Sequence, residues 1–137
     1  MTRGRFITFE GGEGTGKSTQ VARLAERLTA WGLEVVRTRE PGGSPGAEVI
    51  RSLVVSGTAD RWSPRTELLL MYAARSDHLE RTILPVLEAG HWVVCDRFAD
   101  SSRAYQGAGG GAAADLIETL DHGIVGVHQP DLTLIFD

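Results

Sequence analysis

The residues most suited to chemistry lie in one run, Gly11-Gly12-Glu13-Gly14-Thr15-Gly16-Lys17-Ser18. The run matches G-x-x-x-x-G-K-[ST], the P-loop, in which backbone N–H groups surround phosphates and the lysine reaches the β- and γ-phosphates. The serine hydroxyl of this motif ligates Mg²⁺. Lys17 is the only lysine of the chain, and the other thirteen of its fourteen basic residues are arginines. We therefore predict a site for nucleotide phosphates at this run.

The residues around the run predict the two elements that position a P-loop. Before it, Arg5 to Phe9 has the composition of a short buried strand. After it, apolar residues recur at helical spacing, and Gly32 follows as the residue that ends the helix: Val21, Leu24, Ala25 and Leu28. A flexible glycine turn is the alternative, but strand, loop and helix together favour the anion site, because a helix N-terminus attracts negative charge.

Strands and helices alternate along the rest of the chain. Second, third and fourth strands are predicted from Val35, over Trp92–Cys95 and over Leu132–Phe136. Helices are predicted over Ala47–Val55, from Pro64 with Ser63 as N-cap, and over about Ala112–Ile124; Pro85 kinks or restarts the long helix and Gly90 ends it. This order predicts a single α/β domain over residues 1–137. Its sheet is parallel, with helices on both faces and ligands at the carboxyl ends of the strands.

Charge and composition narrow the class of protein. The net charge of −4 argues against a broad surface for nucleic acid. The single cysteine, Cys95, allows no intrachain disulfide, and neither a signal peptide nor a membrane span is visible. We therefore expect a cytoplasmic protein that binds a small molecule. A segment rich in glycine and alanine, Gly107 to Ala114, is either a mobile linker or a loop that folds over substrate.

Four further groups of residues bear on the acceptor of the phosphoryl group. Asp96 ends an apolar strand, as an aspartate that holds Mg²⁺ does. Three arginines at strand ends or on a helix face offer forked donors for a phosphate or a base: Arg39, Arg75 and Arg97. The run Ser101 to Gly107 supplies hydroxyls, an aromatic ring and an amide that suit a base and a sugar, although it also reads as a capped helix start. Glu13 suits an acceptor hydroxyl.

These residues together resemble the thymidylate kinase family. The resemblance covers essentially the whole chain and rests on Phe9-Glu10-Gly11 through Ser18, Thr38-Arg39-Glu40-Pro41-Gly42-Gly43, Tyr72-Ala73-Ala74-Arg75, Asp96-Arg97-Phe98, Ala104-Tyr105-Gln106-Gly107 and Pro130-Asp131-Leu132-Thr133. It implies a P-loop kinase of the nucleoside monophosphate kinase type that makes dTDP from dTMP and ATP with Mg²⁺. It also implies a homodimer, to which the helix from Pro64 would contribute.

The resemblance assigns a role to each site residue. ATP would be bound by Gly11, Gly12, Glu13, Gly14, Thr15, Gly16, Lys17, Ser18 and Thr19, and Mg²⁺ by Ser18 and Asp96. Lys17, Asp96 and Arg97 would be catalytic. The substrate dTMP would be bound by Glu13 at its 3′-hydroxyl, Arg39 and Arg97 at its phosphate, Arg75 and Ser102 at its base, Tyr105 near its sugar, and Gln106. Either Met71 or the neighbouring Tyr72 would cover the thymine.

The end of the chain sets a further expectation. Members of the family continue beyond the position of Asp137 into a lid, a fifth strand and an adenine-contacting segment, and bacterial members without a P-loop arginine supply one from the lid. The resemblance therefore implies an N-terminal portion that binds dTMP and is impaired in turnover, unless a partner subunit or Arg103 supplies the arginine. A non-catalytic nucleotide-binding fragment and a kinase for another small acceptor are the alternatives. A GTPase is excluded, because its Asn-Lys-x-Asp motif needs a second lysine.

Overall fold

A single four-stranded parallel sheet forms the centre of the molecule in the computed structural model, which describes residues 3–12, 14–103 and 113–136. The strands are β1 (Phe6–Gly11), β2 (Val35–Arg39), β3 (Trp92–Asp96) and β4 (Leu132–Phe136), in the order β2-β3-β1-β4. The predicted parallel α/β sheet is confirmed. Predictions for Glu13, Tyr105, Gln106 and most of the Gly/Ala-rich segment lie outside the described residues.

Helices connect successive strands. They are α1 (Lys17–Ala30), α2 (Pro45–Val55), α3 (Pro64–His78), α4 (Leu84–Glu88), the four-residue α5 (Ala99–Ser102) and α6 (Ala114–Ile124). One π-helical turn, Leu79–Ile83, joins α3 directly to α4. None of the described helices is long and apolar enough to cross a bilayer.

The local signals of the sequence account for most of these boundaries. Ser63 caps α3 by accepting a hydrogen bond from the Thr66 N–H, and Pro64 stands at its first position, as predicted. Pro85 does restart a helix, α4, but the π-helical turn before it was not predicted. The strand predicted from Arg5 begins at Phe6 and continues to Gly11, so the P-loop starts directly at the end of β1.

Both faces of the central strands β1 and β3 are buried. Phe6, Val93 and Cys95 point to one side and pack with α3, α4 and α6, whereas Ile7 and Val94 point to the other side and pack against α1. Burial on both faces explains why the strands read as continuous apolar runs rather than alternating ones. The Cys95 thiol is fully buried, and this burial raises its pKa well above the ordinary value.

The strand order places a ligand crevice between β1 and β3. The chain leaves β1 toward β2 on one side, while β4 pairs with β1 on the other, so the connections diverge where β1 and β3 end. Phe9 pairs with Asp96, and Asp96 also pairs in register with Arg39. The register therefore brings the P-loop, Asp96 and Arg39 to one edge of the sheet.

Two glycines allow a test of the backbone conformation that ends α1. Gly32 ends α1 at a φ of 90°, and an added Cβ would meet no atom within 4 Å, so Gly32→Ala costs only backbone strain. We expect that strain to lower the free energy of unfolding by about 1 kcal/mol in urea denaturation. Gly123→Ala, inside α6 with equally open surroundings, is the matched control. It should raise the free energy of unfolding by about 0.5–1 kcal/mol. If both substitutions changed this free energy in the same direction, the left-handed conformation of Gly32 would be contradicted.

Candidate functional site

The P-loop lies at the start of α1 with its backbone open to the crevice. Gly16 caps α1 in the left-handed conformation, with a φ of 82°, and the Thr15 hydroxyl donates to the Gly12 carbonyl at 2.9 Å. The first turn of α1 carries no acidic residue. The free N–H groups and the positive end of this helix can therefore bind an anion.

Lys17 and Asp96 form an ion pair across this crevice. The Lys17 ammonium donates to an Asp96 carboxylate oxygen at 2.5 Å, and the lysine is only 6% exposed. Asp96 comes from the end of β3 and Lys17 from the first turn of α1, so the pair joins the two elements that flank the crevice. The structure thus brings two of the predicted site residues into direct contact.

Ser18 and Asp96 line the same cleft and are the donors that fit a magnesium ion there. No group of three or more His, Cys, Asp or Glu side chains capable of holding a metal occurs in the described part of the chain. A hydroxyl and a single carboxylate suit Mg²⁺, since this ion usually keeps several waters and takes substrate phosphate oxygens as further ligands.

Cationic side chains dominate the cleft beside the P-loop. It has a volume of about 450 Å³, and its wall includes Lys17, Arg39, Arg51 and Arg97 together with Asp96 and Glu40. Sequence reasoning missed Arg51, which donates to the Pro41 carbonyl at 2.8 Å, because nothing in its neighbourhood on α2 distinguishes it from other arginines. Four cations against two carboxylates favour a polyanionic ligand.

Arg39 is held beside the cleft by a carboxylate. Its guanidinium donates to Glu48 at 2.9 Å, and the other Glu48 oxygen accepts from the Gly43 N–H at 2.8 Å. The hydrogen bond from Arg39 lowers the pKa of Glu48, so the carboxylate stays ionised. Because both side chains are about half exposed, an incoming phosphate can take the place of Glu48 at low cost.

A strained turn places Arg97. Its φ is 70°, a left-handed conformation that is uncommon outside glycine, and its N–H donates to the Phe9 carbonyl at 2.8 Å. Glu10 holds the next part of this turn, accepting from the Phe98 N–H at 3.0 Å and from the Ser101 hydroxyl. Burial raises the pKa of Glu10. Glu10 was expected at the end of a strand, but its hydrogen-bond donors could not be predicted from the sequence.

Arg75 is bound to Glu40, which lines the cleft, and is itself only 1% exposed. Its guanidinium donates to Glu40 at 2.6 Å, to the Ser102 hydroxyl at 3.0 Å and to the Phe98 carbonyl at 3.1 Å. It also stacks over the rings of Tyr72 and Phe98. Glu40 is the partner that the sequence did not reveal, because it lies 35 positions away from Arg75.

Comparison with known proteins decides the family. The profile of the thymidylate kinase family matches residues 9–137. The crystal structure of thymidylate kinase from Ehrlichia chaffeensis superposes with a TM-score of 0.89 and 42% sequence identity, covering 98% of this chain and 77% of that one. The chain belongs to the thymidylate kinase family.

Relatives within the thymidylate kinase family are longer than this chain. The thymidylate kinase of Caulobacter vibrioides is 66% identical over 137 residues, which are all of this chain and 66% of the relative. That of Rhizorhabdus wittichii is 61% identical over 135 residues, or 98% of this chain and 64% of the relative. The chain thus spans slightly less than two thirds of the length of these thymidylate kinases.

The structure separates the two residues predicted to cover thymine in a thymidylate kinase. Tyr72 packs in the core with Phe6 and Leu68, and its hydroxyl donates to Asp121 at 3.1 Å. Met71 is also buried, one helical turn before Arg75 on α3. Because its hydroxyl and ring are both engaged inside the protein, Tyr72 is fixed in the core.

Arg103, the internal candidate for a lid arginine, is bound by three carboxylates. Its guanidinium donates to Asp100 at 2.8 Å, Glu118 at 2.9 Å and Asp121 at 3.2 Å. These hydrogen bonds, that with Glu118 above all, raise its pKa further. The side chain therefore ties α5 to α6 in the structure and would have to give up all three partners to reach a phosphate.

Alkaline titration tests the burial of Tyr72. Burial raises the pKa of this phenol to about 12, against about 10 for an exposed tyrosine. In a Tyr105→Phe variant Tyr72 is the only tyrosine, and we expect its phenolate absorbance to rise near pH 12. Since the unfolded chain loses this proton first, stability should fall as the pH rises from about 10 to 12.

Circular dichroism on the same samples provides the control, because it shows whether the chain is still folded at each pH. A midpoint near pH 10 in the folded Tyr105→Phe protein would mean that the Tyr72 hydroxyl is exposed, contrary to the structure.

Proposed function

We propose that this chain carries the active-site core of an enzyme that transfers the γ-phosphoryl group of ATP to dTMP, giving dTDP and ADP. The observation that carries the proposal is the meeting of Lys17, Asp96, Arg39 and Arg97 around one cleft at the switch point of the sheet. Membership of the thymidylate kinase family supplies the acceptor. ATP and dTMP are cytoplasmic metabolites, so the proposal includes a cytoplasmic location.

The donor nucleotide would be bound by the P-loop from Gly11 to Ser18, with Thr19. Lys17 would leave Asp96 for the β- and γ-phosphates, an exchange of one anionic partner for another with little net desolvation. Ser18 would bind Mg²⁺ directly and Asp96 directly or through water. When bound, the ion neutralises charge on the phosphate oxygens.

The acceptor would lie between the loop after β2 and the turn after β3. Arg39 and Arg97 would bind the dTMP phosphate, while Arg75 and Ser102 would face the base. Since Tyr72 is fixed in the core, we assign the cover of the thymine to Met71, whose thioether suits an aromatic face. Glu13 at the 3′-hydroxyl, Tyr105 at the sugar and Gln106 remain predictions from the sequence.

The protein contributes position and charge rather than covalent chemistry. Phosphoryl transfer needs donor and acceptor oxygens in line, and binding both substrates to one rigid edge removes most of the entropic cost. Lys17 and Arg97 would neutralise charge that develops on the transferred group. Because α1 and β3 are both anchored in the core, these cations are already in place before the substrates arrive.

Replacing Lys17 tests the donor site. We expect Lys17→Ala to lower kcat for dTDP formation by at least about a hundredfold, since it removes a cation from the transferred phosphates. Lys17→Arg should restore little, because the planar guanidinium does not fit a site formed around a compact ammonium. Turnover is measured in whichever length of the chain is active, with a coupled assay for ADP and a direct assay for dTDP.

Arg23→Ala is the matched control, because it removes one cation from the exposed side of the same helix. It should leave the rate unchanged, and a folded Lys17→Ala protein with the parent rate would exclude this site. The acceptors dTMP, dUMP, CMP, AMP and shikimate are compared in the same assay. A clear preference for any acceptor other than dTMP would overturn the assignment of the substrate.

We also propose that the chain forms a homodimer through α2 and α3. These helices pack against each other and leave large apolar side chains in water, notably Val49 at 64% and Leu69 at 45% exposure. A second copy of the same chain is the occupant that the family suggests, and covering apolar surface of this kind stabilises association.

Leu69→Arg tests the dimer. A buried arginine without a partner would oppose association, so we expect the variant to sediment as a monomer where the parent sediments as a dimer. Val127→Arg is the control, since Val127 is 91% exposed and belongs to the turn after α6 rather than to α2 or α3. Equal sedimentation of parent and Leu69→Arg would reject α3 as part of the interface.

A further inference from the structure

A chain of buried polar groups runs beneath the loop that follows β2. His78, the last residue of α3, is fully buried, and Glu40 is 5% exposed. The imidazole Nδ1 lies 2.7 Å from one Glu40 oxygen, and the other Glu40 oxygen accepts from Arg75 Nε at 2.6 Å. Glu40 is thus bound on one side by His78 and on the other by Arg75.

The imidazole is held by a second partner. Its Nε2 lies 2.7 Å from the Thr38 hydroxyl, which belongs to β2. Because a carboxylate only accepts hydrogen bonds, Nδ1 carries the proton toward Glu40; in the neutral ring Nε2 then accepts from Thr38. Thr38, His78, Glu40 and Arg75 therefore form one continuous hydrogen-bonded chain from β2 to the buried Arg75 guanidinium, and within it Glu40 lines the cleft.

The backbone of the loop after β2 packs closely against this imidazole at Gly43. A Cβ added at Gly43 would lie 2.2 Å from His78 Nε2 and 2.5 Å from the Thr38 hydroxyl oxygen. In the π-helical turn that follows His78, Thr82 donates to the Gly43 carbonyl at 2.7 Å. The C-terminal end of α3 and the π-helical turn thus fix the loop from below.

Burial raises the free-energy cost of losing any hydrogen bond in this chain of groups. The carboxylate of Glu40 and the guanidinium of Arg75 are both withdrawn from water, where an incompletely satisfied charge costs several kcal/mol. If His78 were apolar, one Glu40 oxygen would lose its partner. Glu40 would then turn toward other donors and draw the Arg75 guanidinium with it.

We propose that His78 is a positioning residue of the acceptor site, holding Glu40 so that Glu40 fixes the orientation of Arg75. This inference rests on the proposed function, in which Arg75 faces the base of dTMP. His78 itself touches no substrate. Its loss weakens binding of the nucleoside monophosphate and leaves the P-loop unchanged. Lys17 binds the Asp96 carboxylate, whereas Glu40 meets Asp96 through the backbone, its N–H donating to the Asp96 carbonyl at 3.0 Å, and a change at His78 leaves that backbone bond in place.

Equilibrium binding tests the proposal without the need for turnover. Calorimetry gives the Kd of dTMP and, separately, the Kd of a non-hydrolysable ATP analogue with Mg²⁺ for the parent, His78→Leu and His78→Asn. We expect His78→Leu to weaken dTMP by about tenfold, the effect of one lost buried hydrogen bond, with the Kd of the ATP analogue within twofold of the parent. His78→Asn keeps a donor near the Nδ1 position and should recover part of the affinity.

Two further variants separate positioning from general stability. Thr38→Val removes only the hydrogen bond between Thr38 and His78 and should weaken dTMP binding by a smaller factor than His78→Leu does. It keeps the test valid if His78→Leu does not fold. Thr133→Val is the matched control, because it removes the partly buried hydrogen bond between the Thr8 and Thr133 hydroxyls, which joins β1 to β4 in a different part of the sheet. It should lower the melting temperature and leave the dTMP affinity unchanged.

The outcomes distinguish this inference from the proposed function. If the parent binds the ATP analogue but not dTMP, the proposed acceptor is wrong and the inference falls with it. If the parent binds dTMP, three results would overturn the inference alone. The first is an unchanged dTMP affinity in the folded His78 and Thr38 variants. The second is an equal loss of affinity for dTMP and for the ATP analogue. The third is a loss of dTMP affinity in Thr133→Val as large as that in Thr38→Val.

Discussion

Parallel pairing of β1 with β3 is the constraint on which the site depends. The register that sets Phe9 opposite Asp96 fixes where the P-loop begins relative to the carboxylate that faces it. A slip of one residue would turn Asp96 to the other face of the sheet, away from Lys17. The packing of Ile7 and Val94 on one face and of Phe6, Val93 and Cys95 on the other holds this register, because a slip of one residue would move each side chain to the opposite face, where it does not fit the helices packed there.

A cleft rich in cations has to remain stable before its ligand arrives. The protein solves this with internal anionic or carbonyl partners, such as Asp96 for Lys17, Glu48 for Arg39 and the Pro41 carbonyl for Arg51. These pairs differ in burial, and therefore in how readily a ligand can displace the partner from its cation. The Arg39–Glu48 pair is exposed and exchanges easily, whereas the Arg75–Glu40 pair is buried and works as a fixed part of the frame.

The elements and the P-loop could be predicted from the sequence because their signals are local. Ser63-Pro64 starts a helix and Gly32 ends one through contacts a few residues apart, and the glycine run with Lys17 has a known spacing. The supporting residues could not be predicted in this way. Glu10 meets Ser101 across 91 positions and His78 meets Glu40 across 38, so only the folded sheet shows that they are partners. Nothing local distinguishes Met71 from Tyr72 either, until the Tyr72 hydroxyl is seen bound to Asp121.

The position of the only lysine has a practical consequence for chemical labelling. The single ε-amine of the chain lies in the cleft beside the P-loop, almost without solvent contact and bound to a carboxylate. An amine-directed acylating reagent can reach this ε-amine only after the Lys17–Asp96 pair opens, since the paired ammonium is almost without solvent contact. The mass added to the peptide that contains Lys17 would therefore report, without any engineered probe, how often this cleft opens in solution.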